Sequence, residues 1–132
     1  MNKRTLGRSG IEVSEISFGT VSLGVPYGIG VSESDMISET DAVELLQLAF
    51  NNGINFFDTA RGYGVSEERI GKAFKNVRKD VVICTKCSHL FNGNKDIFIS
   101  SNKLEKIINE SLNESLSALQ TDYIDIYLMH DA

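Results

Sequence analysis

The sequence predicts an α/β fold built around a parallel sheet. Short apolar segments typical of strands alternate with amphipathic segments typical of helices, and this order favours parallel strands joined by right-handed crossovers. The segment Val81–Lys86 is almost continuously apolar, as expected of a strand that is covered on both faces. The chain has 132 residues, so we interpret residues 1–132 as a single domain or part of one.

Residues 1–15 are predicted to form a β-hairpin, because the short runs Lys3–Leu6 and Ile11–Ser14 flank a turn of Gly and Ser residues. The first strand of the parallel sheet is then expected at Ile16–Thr20. A long loop follows at Val21–Glu39. Loops of this length inside a compact domain are usually functional or mobile.

Residues 16–132 are predicted to contain four strands and three helices. We expect Thr40 to cap the first helix and Gly53 to end it. We expect Ser66 to cap the second helix, whose first turn carries two glutamates that complement the helix dipole. Asn102, with a glutamate three residues later, resembles a capping box at the start of the third helix.

The remaining strands are expected at Ile54–Phe57, Val81–Lys86 and Ile124–Met129. A hairpin followed by β-α-β-α-β-α-β fits two architectures, a doubly wound open sheet and the first half of a (β/α)₈ barrel. A complete barrel needs roughly 200–250 residues. On the second interpretation these residues therefore hold four of eight strands, and the C-terminal half of the barrel is absent from them.

Composition excludes several classes of protein. Hydrophobic residues make up 42% and charged residues 23% of the chain, which is ordinary for globular proteins. Its net charge of −5 argues against general nucleic-acid binding, which needs a basic face. No apolar run reaches the ~18 residues of a membrane span, and the N-terminus lacks the apolar core of a signal peptide. Two cysteines make no disulfide framework, so we expect a cytoplasmic protein without nucleic-acid or membrane partners.

Four polar residues lie at or just after the predicted strand ends, namely Asp58, Tyr63, Lys86 and His130. Active sites of parallel α/β folds lie at the carboxyl ends of the strands. An ammonium close to a phenol stabilises the phenolate, which makes the phenol a better proton donor near neutral pH. A carboxylate would fix the ammonium, and an imidazole could orient a carbonyl. This set suits carbonyl reduction with hydride from a nicotinamide.

Other motifs carry weaker predictions. Cys84 and Cys87 form a C-x-x-C that straddles a strand end instead of opening a helix, so we expect no redox role. Together with His89 they do not supply four metal ligands, and we expect no metal site. The glycines of the long loop do not form a phosphate-binding fingerprint. The three basic residues between Lys75 and Lys79 are expected to be solvated.

Several motifs taken together resemble the start of an aldo/keto reductase. In chain order they are Leu6–Gly10, Val13–Ile16, Phe18–Thr20, Gly53–Ala60, Tyr63-Gly64, Ser66-Glu67, Thr85-Lys86 and Asp125–His130. The resemblance covers essentially the whole chain. It implies the N-terminal half of a (β/α)₈ TIM barrel preceded by a β-hairpin, and thus the second of the two architectures.

The resemblance also implies a catalytic tetrad of Asp58, Tyr63, Lys86 and His130. Tyr63 would donate the proton, Lys86 and Asp58 would tune it, and His130 would orient the carbonyl group. The substrate would be a small aldehyde or ketone, or the corresponding alcohol or sugar. The sequence itself does not identify which.

The cofactor implied by the resemblance is NADP(H) more often than NAD(H), bound in an extended form without a Rossmann domain. Gly19, Thr20 and Asp58 match positions that line its nicotinamide end. The loop Val21–Glu39 matches a region that forms part of the substrate pocket wall. Most other cofactor contacts in the family come from the second half of the barrel.

Two other functions remain open at this point. An aldolase-type barrel would use Lys86 as a Schiff-base nucleophile. A non-catalytic incomplete barrel would bind a partner instead, and the exposed edge of its fourth strand would favour self-association.

Overall fold

The computed structural model describes residues 1–90 and 100–130. Strands β1 (Lys3–Thr5) and β2 (Glu12–Ser14) pair antiparallel, which confirms the hairpin. Asn55 fastens this hairpin to the rest of the chain. Its side-chain oxygen accepts from the Ser14 N–H at 2.7 Å, and its amide donates to the Glu12 carbonyl at 3.0 Å.

A four-stranded sheet follows the hairpin, with the strands β3 (Phe18–Gly19), β4 (Phe56–Asp58), β5 (Val82–Lys86) and β6 (Ile126–Leu128). The strands lie in the order β3-β4-β5-β6, and each pairs parallel with the next one in sequence. A doubly wound sheet would reverse its strand order at a switch point. The consecutive order over all four strands is that of a barrel.

Three helices connect these strands, namely α1 (Glu39–Asn51), α2 (Ser66–Phe74) and α3 (Ser101–Ala118). The core lies between the helices and one face of the sheet. Phe57 of β4 and Phe74 of α2 are buried there with their ring centroids 4.5 Å apart. Each ring of this size buries ~150–250 Å², so the contact helps to fix α2 on the sheet. No helix in the described ranges is long and apolar enough to cross a membrane.

The predicted N-caps of α1 and α3 are wrong. Ser38, and not Thr40, caps α1, because its extended backbone lets its hydroxyl accept from the Asp41 N–H at 3.1 Å. Thr40 lies inside the helix. At α3 the cap position falls on Ser100, without a side-chain capping bond, and Asn102 lies inside the first turn. A hydroxyl or amide caps only where the backbone is not yet helical, which places the cap position two residues earlier than predicted in both helices.

Candidate active site

Asp58 and Lys86 end neighbouring parallel strands and are in direct contact. Asp58 is in register with Cys84, so Lys86 lies two residues further along the same face of the sheet. The Lys86 Nζ donates to Asp58 Oδ1 at 2.8 Å, to Oδ2 at 2.9 Å and to the Thr59 carbonyl at 2.9 Å. These three acceptors match the three donors of an ammonium group and hold it in one position.

Tyr63 and His130 complete the cluster at the same edge of the sheet. The Lys86 Nζ lies 5.2 Å from the centroid of the Tyr63 ring. The His130 ring meets the Tyr63 ring edge-on, with centroids 5.6 Å apart and planes at 82°. His130 lies two residues beyond β6. The structure therefore brings together all four side chains that the sequence singled out.

Close backbone packing positions the turn that carries Tyr63. A Cβ atom on Gly24, in the long loop, would overlap the carbonyl oxygen of Tyr63. A Cβ atom on Gly64 would overlap the Gly24 carbonyl, and Gly64 also has a positive φ of 55°. Only glycine fits this combination of close approach and left-handed backbone. The base of the long loop and the Tyr63 turn thus lie in direct backbone contact.

Thr20 lies behind Asp58 and is fully buried. Its N–H and its hydroxyl donate to the Asp58 carbonyl at 3.0 and 2.9 Å, and its hydroxyl also lies 2.7 Å from that of Ser66. Ser66 is the first residue of α2 and Val65 holds the cap position, so the prediction that Ser66 caps this helix is wrong. The Ser66 hydroxyl joins Thr20 instead. Gly19 is exposed beside Asp58, with open space where a Cβ would stand.

Sequence reasoning missed the role of an ion pair beneath the Tyr63 turn. The Arg61 Nη1 lies 2.7 Å from Glu67 Oε2, and the Thr85 hydroxyl donates to Glu67 Oε1 at 2.6 Å. Burial raises the pKa of Glu67, while the Thr85 hydrogen bond and the Arg61 charge act in the opposite direction. One signal was available. Glu67 precedes Ile70 by three residues and Phe74 by seven, which places it on the buried face of α2.

His89 contacts the site, although the sequence offers it only as a metal ligand in a set that is too small. Its ring stacks on that of His130, with centroids 4.0 Å apart and planes at 27°. No periodicity around His89 indicates this contact. Within residues 1–90 and 100–130, no group of three or more His, Cys, Asp or Glu side chains is arranged to hold a metal ion.

The two cysteines lie below this cluster, and both are free and buried. Burial, with a smaller contribution from the nearby Asp58 charge, raises the pKa of the Cys84 thiol to about 11. The thiolate is the reactive form of cysteine, and at neutral pH this thiol stays protonated.

The chain resembles known proteins over most of its length. Residues 15–132 match the Aldo/keto reductase family. The chain is 38% identical to an L-galactose dehydrogenase of Arabidopsis thaliana, over 97% of the chain and 37% of that protein. It is 34% identical to an NADH-specific methylglyoxal reductase of Escherichia coli, over 98% of the chain and 42% of that protein.

A solved structure of a putative aldo-keto reductase from Pseudomonas aeruginosa superposes with a TM-score of 0.75 at 34% identity. The superposition covers 98% of this chain and 48% of that one. The chain thus spans less than half the length of each of these three relatives. Its strands correspond to part of the TIM barrel of such neighbours. Because the match extends over most of its residues, the chain belongs to the aldo/keto reductase family.

Proposed function

We propose that this chain carries the catalytic residues of an NADP(H)-dependent oxidoreductase. The reaction is the reduction of a small aldehyde or ketone, or the oxidation of the corresponding alcohol or sugar. The observation that supports this proposal is the contact between Lys86 and Asp58, with the Tyr63 ring 5.2 Å from the ammonium and His130 against that ring. Membership of the aldo/keto reductase family agrees with it.

Each residue has a distinct part in the proposed mechanism. Tyr63 donates the proton that the carbonyl oxygen takes up as the carbonyl is reduced. Lys86 stabilises the negative charge that is left on the Tyr63 oxygen, and Asp58 holds Lys86 in place through both carboxylate oxygens. His130 orients the carbonyl oxygen. A positioned general acid contributes about 10²–10⁴-fold to a rate.

A nicotinamide cofactor supplies the hydride in this proposal. In this proposal Gly19, which has open space where a Cβ would stand, and the neighbouring Asp58 would hold the nicotinamide end of the cofactor. Thr20 is fully buried, and it would act by holding the Asp58 backbone from behind. We propose NADP(H) over NAD(H). The relative named as NADH-specific makes NAD(H) the alternative, and the ratio of kcat/KM for the two cofactors decides between them.

The geometry favours reduction over Schiff-base chemistry. A lysine that attacks a carbonyl must present a neutral amine. Lys86 instead directs its nitrogen at three oxygen acceptors, two of them from the Asp58 carboxylate. Borohydride would therefore fail to trap a carbonyl substrate on Lys86.

Self-association is the second part of the proposal. β3 and β6 lie at the two edges of the sheet in the part of the chain that the structure describes. Leu128 of β6 and the neighbouring Met129 are 44% and 45% exposed. Open edges and exposed apolar side chains promote association. We therefore propose that the 132-residue chain on its own pairs with a second copy, and light scattering after gel filtration tests this.

The cytoplasm is the proposed location. Both cysteines are free and buried, which suits a reducing compartment where disulfides are rare. No nucleic-acid or membrane partner is proposed, and the substrate is the expected ligand. Fractionation of source cells, followed by detection of the protein, tests the location.

The test of the catalytic proposal compares two tyrosine variants. In the purified protein, Tyr63→Phe removes the proton donor, and NADPH-dependent reduction of methylglyoxal is expected to fall by about 10²–10⁴-fold. Tyr123→Phe is the control, because Tyr123 lies at the other end of the sheet, where its hydroxyl donates to the Arg78 carbonyl at 3.3 Å. Turnover that survives Tyr63→Phe would refute the proposal.

A further inference from the structure

Glu67 is a fully buried carboxylate that the proposed reaction does not use. Its Oε2 pairs with Arg61 at 2.7 Å, and its Oε1 accepts from the Thr85 hydroxyl at 2.6 Å. Thr85 directly precedes Lys86 in β5. One oxygen of Glu67 therefore holds β5, the strand that ends in Lys86, and the other holds Arg61 in the turn that follows β4.

Arg61 continues this connection in two directions. Its backbone N–H donates to the Lys86 carbonyl at 3.1 Å. Its Nη2 donates to the Gly64 carbonyl at 3.2 Å, directly after Tyr63, and also pairs with Glu68 at 3.1 Å. The planar guanidinium bridges these groups in fixed directions, which an ammonium cannot reproduce.

We propose that the Arg61–Glu67 ion pair is a positioning unit that sets the placement of Tyr63 relative to Lys86. This inference rests on the proposed function. Neither side chain is assigned a contact with substrate or cofactor, and the pair acts through Thr85 on one side and Gly64 on the other. A displacement of about 1 Å between reacting groups can cost a hundredfold in rate, so such a unit has a measurable effect.

A second ion pair in the same chain provides a matched control. Arg78 and Asp125 are 2.8 Å apart, and their side chains are 12% and 18% exposed, against 17% and 0% for Arg61 and Glu67. This pair lies at the amino ends of β5 and β6, away from Tyr63 and Lys86. A purely structural role would make the two pairs equivalent.

The experiment compares Glu67→Gln with Asp125→Asn in the purified protein. Nuclear magnetic resonance follows the ring protons of Tyr63 and the ε-methylene of Lys86, and steady-state kinetics with NADPH and methylglyoxal follow turnover. We expect Glu67→Gln to shift both sets of resonances and to lower kcat about tenfold or more, with KM nearly unchanged. Asp125→Asn is expected to leave the resonances and the kcat of the folded fraction as in the wild type.

Two results separate a failure of the positioning role from a failure of the proposed function. Wild-type resonances and kcat in Glu67→Gln, while Tyr63→Phe still abolishes turnover, would overturn the positioning role alone. Turnover that survives Tyr63→Phe would overturn the proposed function, and the resonances would still decide whether the pair positions Tyr63.

Arg61→Lys serves as a second variant if Glu67→Gln does not fold. It keeps the positive charge but loses the second nitrogen that reaches the Gly64 carbonyl. The same resonance shifts are expected. If neither variant folds while Asp125→Asn does, the pair is structural and the inference is wrong.

Discussion

The two ends of the parallel strands each hold a largely buried ion pair with an arginine, and the pairs differ in what they connect. At the amino ends, Asp125 accepts from Arg78 at 2.8 Å and from the Ile83 N–H at 2.9 Å. Arg78 also donates to the Val81 and Tyr123 carbonyls. These partners are backbone groups at the start of the strands, so this pair fixes β5 against β6.

The pair at the carboxyl ends connects different groups. Arg61 and Glu67 contact a hydroxyl and two carbonyls that flank Lys86 and Tyr63. In barrel folds the carboxyl end carries the chemistry and the amino end carries stability. The same kind of interaction thus stabilises the fold at one end and, in our proposal, places side chains at the other. Four predictions test this contrast, from the largest effect to the smallest.

Lys86→Met is expected to have the largest effect. It removes the ammonium that lies 5.2 Å from the Tyr63 ring, so turnover should fall by about 10²-fold or more. Cofactor affinity should change much less. Steady-state kinetics give the first quantity and quenching of cofactor fluorescence gives the second. Weaker cofactor binding with normal turnover would contradict the role assigned to Lys86.

Asp125→Ala is expected to affect stability and not chemistry. It leaves Arg78 largely buried without its carboxylate and removes the acceptor of the Ile83 N–H. Breaking a buried pair costs about 3 kcal/mol, which urea denaturation would measure. The kcat per folded molecule should stay at the wild-type value. A large fall in kcat would contradict the proposal that the ion pair at the amino ends of the strands serves stability alone.

The pH dependence of stability should reveal the buried carboxylate of Glu67. Burial raises its pKa in the folded state above the ordinary 4.5, so the folded state binds this proton more tightly than the unfolded state does. Its contribution is therefore most favourable below about pH 4.5, and stability is lost as the pH rises through the raised pKa. Relative to Glu67→Gln, the wild type should lose stability over this range. Urea denaturation at a series of pH values measures the difference, and parallel curves would contradict it.

Lys72→Gln should have the smallest effect, because the ion pair of Lys72 lies at neither the amino nor the carboxyl ends of the parallel strands. Lys72 lies 2.6 Å from Glu39, but the two side chains are 46% and 57% exposed. Exposed pairs contribute little because water screens them. We expect no measurable change in the denaturation midpoint or in kcat. A fall in the denaturation midpoint as large as that of Asp125→Ala would show that burial does not decide how much an ion pair contributes to stability.

Much of the site could be predicted because parallel strands end at the same edge of a sheet. Asp58 and Lys86 each end a strand, so they were expected at the same edge, and the register leaves Asp58 within reach of the Lys86 side chain. The consecutive strand order, however, does not follow from the alternation of strands and helices, because the same alternation also fits a doubly wound sheet. The resemblance to a family was what chose between the two architectures.

The partners of the buried ion pairs could not be predicted, because they depend on elements that lie far apart in the sequence. Glu67 is buried where α3 packs against α2, and a Cβ on Gly71 would overlap the backbone of Ala118 and Leu119. Arg78 was expected to be solvated, yet it is largely buried against Asp125, 47 residues later. Local sequence patterns predict which residues share a helix face and which charges suit the helix dipole. They do not predict which distant element packs against that face.

The contact between Gly24 and the Tyr63 turn has a consequence for how the site responds to its substrate. Side chains that separate two segments can change rotamer and absorb a small movement. At Gly24 and Gly64 the base of the long loop meets the Tyr63 turn through backbone atoms of both segments, and backbone atoms cannot move aside by a change of rotamer. We expect a movement of the loop base to carry the proton donor with it. Sequence changes at the tip of the loop can then alter which molecule is bound, while the backbone contact between Gly24 and the Tyr63 turn stays the same.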